Sequence, residues 1–158
     1  MSATVLQRRL GKKAPFASPE QEAALGLLYV ADRIENRFGR LFREFGLTNS
    51  QYNVLRILRG EGGPMPALEV GRRMIQQVPA ITGLVDRLDK QGLVTRERSE
   101  EDRRVVYVAI TAKGLGLLDE LDGPLAEVHD ELLGGMSRKD LATLTAVLGR
   151  AAAAVAAE

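Results

Sequence analysis

The chain has 158 residues, 45% of them hydrophobic and 27% charged. That make-up suits an ordinary globular protein with a buried core and argues against a disordered or membrane-embedded one. It contains no cysteine, which excludes disulfides, thiolate metal sites and thiol redox sensing. The net charge of +1 hides an uneven spread: residues 1–55 and 56–113 each sum to +3 and residues 114–158 to −5. A basic middle is therefore available for phosphate, while the acidic last third is not.

Residues 1–17 carry Arg8, Arg9, Lys12 and Lys13 without a helical apolar stripe, so a flexible tail is expected, with a DNA-contacting arm as the other reading. Ser18-Pro19-Glu20-Gln21 combines an N-cap serine, a first-turn proline and a glutamine placed for a capping box, and predicts the start of a long helix. Leu27, Ala31, Ile34, Phe38, Leu41 and Phe45 form its stripe, and Gly46 ends it. Thr48-Asn49-Ser50-Gln51 repeats the capping logic ahead of Tyr52, Leu55 and Leu58, and the run from Gly60 to Pro64 breaks the chain. Pro66 opens a third helix through Met74, with Leu68 and Val70 or Met74 expected inside.

A fourth helix follows, with Ile81, Leu84, Val85 and Leu88 at i, i+3, i+4 and i+7, and Gly92 stops it. The period then changes to two. Val106, Val108 and Ile110 alternate with Val105, Tyr107 and Ala109, Leu93 to Arg98 is the partner strand, and the polar stretch from Ser99 to Arg103 makes a hairpin. Thr111 to Met136 returns to helix, with Leu115, Leu118, Leu121 or Leu125, Val128 and Leu132 as its buried side, and Pro124 is expected to bend or loosen it. Ser137-Arg138-Lys139-Asp140 caps a last helix whose narrow stripe of Leu141, Leu144, Leu148, Ala151 and Val155 suits helix pairing.

The fold class is thus mainly α with a small two-stranded β wing. Two short helices, a tight turn and a hairpin make a winged helix-turn-helix, whose second helix can enter the major groove of duplex DNA. With the apolar stripe inward, Pro79, Thr82, Gly83, Asp86, Arg87 and Lys90 lie outward, and Gln76, Gln77, Val78 and Ala80 fall at or before the first turn. Glutamine can bond adenine through both amide atoms, threonine can donate or accept, and small apolar groups can touch a thymine methyl. Gln76 and Gln77 either reach bases or form the turn and cap the helix. Arg72 and Arg73 either hold phosphates, which positions without specifying, or are solvated charges. At the hairpin tip, Arg103 or Arg104 can enter a minor groove while Asp102 orients a guanidinium or caps the turn. The alternative there is a charged turn with an internal salt bridge.

The stretch Val78-Pro79-Ala80-Ile81-Thr82-Gly83-Leu84-Val85-Asp86-Arg87-Leu88 is followed by Gly92-Leu93-Val94, Asp102-Arg103-Arg104 and Ile110-Thr111-Ala112-Lys113-Gly114. With Leu47-Thr48, Gln51-Tyr52 and Val54-Leu55 ahead of it, this order resembles the MarR family of winged helix-turn-helix regulators over about residues 20 to 155. The resemblance implies a homodimer whose terminal helices interlock, with residues 18–46 and 113–158 dimerising and residues 47–112 forming the DNA-binding domain. It further implies a transcriptional regulator, a repressor in the favoured reading, acting on a pseudo-palindromic operator and released by a small aromatic or phenolic ligand. It assigns the wing role to Asp102 and Arg104. Two departures stand out: Gly83 replaces a common arginine, and Ile75 and Gln77 replace the usual glycine and small hydroxyl residue of the turn.

Enzymatic function finds no support, because His129 is the only histidine, no P-loop is present, and Asp119, Glu120, Asp122 and Glu127 read as a solvated helix face. No catalytic residue, metal or cofactor is expected. A cytoplasmic protein without a membrane partner is expected, since no apolar run reaches the length of a span. A protein-docking winged helix and a non-specific DNA binder are the rival readings. Tyr29, Phe38 and Tyr52 are candidates for an effector pocket by aromatic character alone, with core packing as the alternative.

Overall fold

The computed structural model describes residues 4–77 and 81–156. In chain order these form α1 (Val5–Arg9), α2 (Pro19–Glu44), α3 (Asn49–Glu61), β1 (Met65–Pro66), α4 (Ala67–Arg72), α5 (Ile81–Lys90), β2 (Val94–Arg98), β3 (Val106–Ile110), α6 (Ala112–Leu133) and α7 (Arg138–Val155). The chain divides into two compact units, Met1–Leu118 and Asp119–Glu158.

The helix starts follow the caps. Ser18 Oγ accepts from the Gln21 amide at 3.2 Å, while the Gln21 side chain reaches the amide of Ala17 at 2.8 Å, one residue further out than a capping box requires. At α3 the capping box is complete: Thr48 Oγ1 accepts from the Gln51 amide and the Thr48 amide donates to Gln51 Oε1. The end of α2 is closed by Gly46 at φ +71°, a left-handed position that costs glycine nothing. The segment expected as a tail carries a short helix instead. Thr4 caps it, Gln7 is buried with its Nε2 donating to the Lys12 carbonyl, and Lys12 lies over the Phe16 ring.

In the first unit the core joins the C-terminal half of α2 to α3, α5 and the sheet. Leu41, Phe42, Val54, Leu55, Leu58, Val70, Leu84, Val85, Leu88, Val94 and Val108 are all buried. Phe42 stacks on Tyr52 with centroids 4.2 Å apart and meets Phe38 at 5.9 Å, so Phe38 and Tyr52 serve the packing of α2 against α3. Tyr29 sits instead beneath the Arg33 guanidinium. The N-terminal half of α2 is different: Leu27, Leu28 and Val30 are exposed on this chain.

Four expectations need correction. The sheet has three strands in the order β1-β3-β2 rather than two, because Met65 and Pro66 pair with Val108 and Tyr107 on the outer side of β3. Pro66 therefore ends a strand and caps α4 rather than opening a helix that runs to Met74. Leu68 was expected inside and is 71% exposed, while Val70 and Met74 take the inward positions. Likewise Leu115 is exposed, and the buried side of α6 begins at Leu118.

The second unit holds the rest of α6, which continues through Pro124, and α7. Leu121, Leu125 and Val128 are buried. On α7, Ser137 Oγ accepts from the Asp140 amide at 3.1 Å, as its sequence predicts, but no residue of α7 is buried, and Val147, Leu148 and Val155 are exposed. Among the described residues no helix is long and apolar enough to cross a membrane.

Candidate nucleic-acid interface

The inward stripe of α5 is as predicted, with Ile81, Leu84, Val85 and Leu88 buried. That fixes the opposite face outward, and Thr82 and Arg87 are exposed there. Gly83 is half-buried, yet a β-carbon placed on it would meet nothing within 4 Å. Among the described residues no packing requires glycine at this position. Val78, Pro79 and Ala80 lie outside the described residues.

The two turn glutamines separate. Gln77 is exposed, whereas Gln76 Nε2 donates to Glu35 Oε1 on α2 at 2.6 Å. Ile75 beside them is 80% exposed. The two arginines ahead of the turn also separate. Arg73 donates to Glu61 at 2.8 Å and to Glu69 at 3.0 Å, and the Glu61 carboxylate, followed by Glu69, pushes its pKa further above the usual range. Arg72 is 78% exposed and pairs at 3.6 Å with Glu69.

The hairpin between β2 and β3 is in register from Val94 opposite Ile110 to Arg98 opposite Val106. Its tip is tied by main-chain bonds from Ser99 to Val105 and from Val105 to Asp102, both at 2.9 Å. Ser99 Oγ accepts from the amides of Glu101 and Asp102, and Asp102 Oδ1 accepts from the Arg104 amide at 3.0 Å. Asp102 is thus the cap of the turn. Among the described residues no carboxylate forms an ion pair with Arg103 or Arg104, and both are exposed. The internal salt bridge weighed as the alternative is absent.

A groove of about 520 Å³ runs between α4, the start of α5 and the entry into β3 from the wing tip. Leu68 and Tyr107 give it apolar walls, and Arg72, Thr82, Arg96 and Arg104 bring polar groups to it. The structure therefore gathers Arg72, Thr82 and Arg104. Arg103 lies apart, in a second hollow with Arg98, Ser99 and Glu100.

Arg96 is the residue the sequence reading missed. From β2 its guanidinium reaches Asp86, and its Nε donates to Asp89 Oδ2 at 3.1 Å. Asp86 and Asp89 stand three apart on α5, so one fork spans a single turn of the helix. The available signal was that i, i+3 carboxylate pair followed by an arginine near the start of the next strand. At the base of the wing, Thr111 Oγ1 donates to the Gly92 carbonyl at 2.7 Å and accepts from the Gly114 amide at 3.1 Å. A β-carbon on Gly114 would fall on the Leu93 carbonyl and within 2.7 Å of the Ile110 side chain. The Thr-x-x-Gly spacing is therefore a steric requirement of this junction.

No group of three or more metal-ligating side chains occurs among the described residues. What the site offers is a helix face, a wing with unpaired arginines and a concave strip between them.

The family model described as MarR family matches residues 47–106. The transcriptional regulator MhqR of Bacillus subtilis is 30% identical over 133 residues, covering 82% of this chain and 91% of that protein. A MarR transcription factor from Planctomyces limnophilus is 40% identical, with a TM-score of 0.67 over 85% of this chain and 98% of the other. The fold is also that of Bordetella bronchiseptica BpsR, whose DNA binding is regulated by 6-hydroxynicotinic acid, at 23% identity and a TM-score of 0.74 over 83% and 98% of the two chains. On this identity and coverage the chain belongs to the MarR family and is a DNA-binding transcriptional regulator.

Proposed function

We propose that the protein acts as a homodimer that reads a pseudo-palindromic operator, with α5 in the major groove and the wing at an adjacent minor groove. The observation that carries this reading is the convergence of Arg72, Thr82 and Arg104 on one groove beside the exposed face of α5. Base contacts fall to Gln77, Thr82 and Arg87, with Val78, Pro79 and Ala80 as further candidates at the entry to the helix. Arg72 supplies phosphate contact, and Arg103 and Arg104 supply the wing.

Dimerisation is supported by apolar surface that this chain leaves uncovered: Leu27, Leu28 and Val30 on α2, and Val147, Leu148 and Val155 on α7. Exposed apolar patches of this kind mark interfaces. Repression, with release by a small hydroxylated aromatic, is the regulatory mode we favour; BpsR, which shares the fold, responds to such a molecule.

Selection of bound duplexes from a random pool at near-physiological salt tests the reading. An enriched inverted repeat with half-sites about one helical turn apart is expected. Salt-sensitive binding without enrichment would mean a non-specific binder, and no binding by folded protein would mean a docking module.

A further inference from the structure

Beyond its buried stripe, α5 and its two flanks carry side-chain hydrogen bonds to other elements of the first unit, three of which bear on its placement. At its C-terminal end, Gln51 Nε2 of α3 donates to Gln91 Oε1 at 3.4 Å. Along its length, Arg96 bridges Asp86 and Asp89. In the turn ahead of its N-terminal end, Gln76 donates to Glu35 of α2 at 2.6 Å. The third contact spans 41 positions of sequence and is the longest-range side-chain bond of the turn.

Glu35 is itself fixed by its neighbour. Asn49 Nδ2, in the first turn of α3, donates to the Glu35 carbonyl at 3.0 Å, and Gly39, one turn along α2, leaves just enough room for the Asn49 amide: a β-carbon there would stand 3.0 Å from Asn49 Oδ1. Glu35 thus projects, as an exposed carboxylate, from a stretch of α2 whose main chain is docked on α3. A bond between an amide and a charged carboxylate is the stronger kind.

From this geometry we propose that Glu35 and Gln76 form a latch, and that Gln76 is a positioning residue for sequence recognition rather than a base reader. The proposal rests on the reading of α5 as the recognition helix. The bond to Glu35 leaves Gln76 one Nε2 hydrogen and its Oε1, but it ties the amide to α2 instead of leaving it free to align its donor and acceptor with an adenine edge. The bond instead fixes where the chain leaves α4 and enters α5. The placement of α5 in the groove then depends on α2.

The test compares affinity for a selected duplex with that for a random one, in the full-length protein. Removing the Glu35 charge strengthens all DNA binding by relieving repulsion of phosphate, but this cancels in the ratio. Glu35→Ala and Gln76→Ala are each expected to lower the ratio by about three- to fivefold, the scale of one exposed charge-assisted bond. The double variant should lose no more than either single one. Glu35→Gln carries the same charge change as Glu35→Ala but keeps an acceptor oxygen, so it should recover most of the ratio. An unchanged ratio in Glu35→Ala, or losses that multiply in the double variant, would overturn the latch and return Gln76 to base reading.

Should the wild-type protein prefer no duplex, the reading of α5 fails while the latch is still judged on the DNA-free protein. The side-chain amide resonances of Gln76 should then move in Glu35→Ala and stay in Glu35→Gln. Resonances indifferent to Glu35→Ala would overturn it.

Discussion

Arg96 Nε on β2 donates to Asp89 Oδ2 on α5 at 3.1 Å, and the other arm of the same guanidinium reaches Asp86. The wing and the reading helix are therefore joined by one fork. These side chains are between 36% and 40% exposed, so solvent screens the pair and its share of folding stability is at most about 1 kcal/mol. In the docking proposed above its larger effect is electrostatic, because it neutralises two carboxylates on the helix assigned to the groove.

For Arg96→Ala we expect a small loss of Tm and a loss of DNA affinity of tenfold or more, measured on the selected duplex. Arg96→Lys keeps the charge but not the fork and should fall between the two. An Arg96→Ala protein that binds DNA as the wild type does would show that the two carboxylates lie away from phosphate.

The arginines of the site sort by their partners. Arg104→Ala and Arg72→Ala should each lower the slope of log affinity against log salt by about one, with nearly uniform weakening across sequences. Arg73→Ala should leave that slope unchanged and lower Tm slightly instead, since Glu61 and Glu69 already hold its guanidinium. A salt titration of the three variants checks all of this at once.

Two glycines give opposite expectations. Gly83→Ala meets no described atom in the first turn of α5 and should stabilise the protein by up to about 1 kcal/mol in denaturant unfolding. If its DNA affinity falls as stability rises, the glycine is there for close approach to the duplex. Gly114→Ala runs into the Leu93 carbonyl and the Ile110 side chain, and should destabilise by about 2–3 kcal/mol, read in the same experiment.

Deleting residues 138–158 removes α7 and its exposed Val147, Leu148 and Val155. Sedimentation should find the full chain dimeric and the shortened one monomeric. A shortened chain that sediments as a dimer would place the main interface on α2.

The sequence was most legible where a residue's role follows from its own helix or strand. The stripe of α5 needs only the 3.6-residue period, and the caps at Ser18, Thr48 and Ser137 act within three residues of themselves. It was least legible where a long-range partner decides. The two residues of β1 are too few to show alternation, so only the edge of β3 reveals them as a strand. Leu68 has the right composition for a core, but α4 is six residues long, and the inward places go to Val70 and Met74. Of the candidate site, the exposed face of α5 could be read from pattern; that neither Arg103 nor Arg104 takes the internal salt bridge open to a charged turn could not. Neither the engagement of Gln76 by Glu35 nor the grip of two carboxylates on Arg73 could, because each depends on a partner twelve or more positions away.

The junction at Thr111 has a mechanical consequence. Thr111 bonds the carbonyls of both Gly92 and Leu93, Lys113 Nζ bonds that of Gln91 at 2.7 Å, and Gly114 lets the first turn of α6 sit directly on the Leu93 carbonyl. The exit of α5, the root of the wing and the start of α6 are thereby pinned to one hub with no slack between them. We therefore expect a rotation of the first turn of α6 to carry the exit of α5 with it, as a crank turns a shaft, instead of being absorbed in a loop.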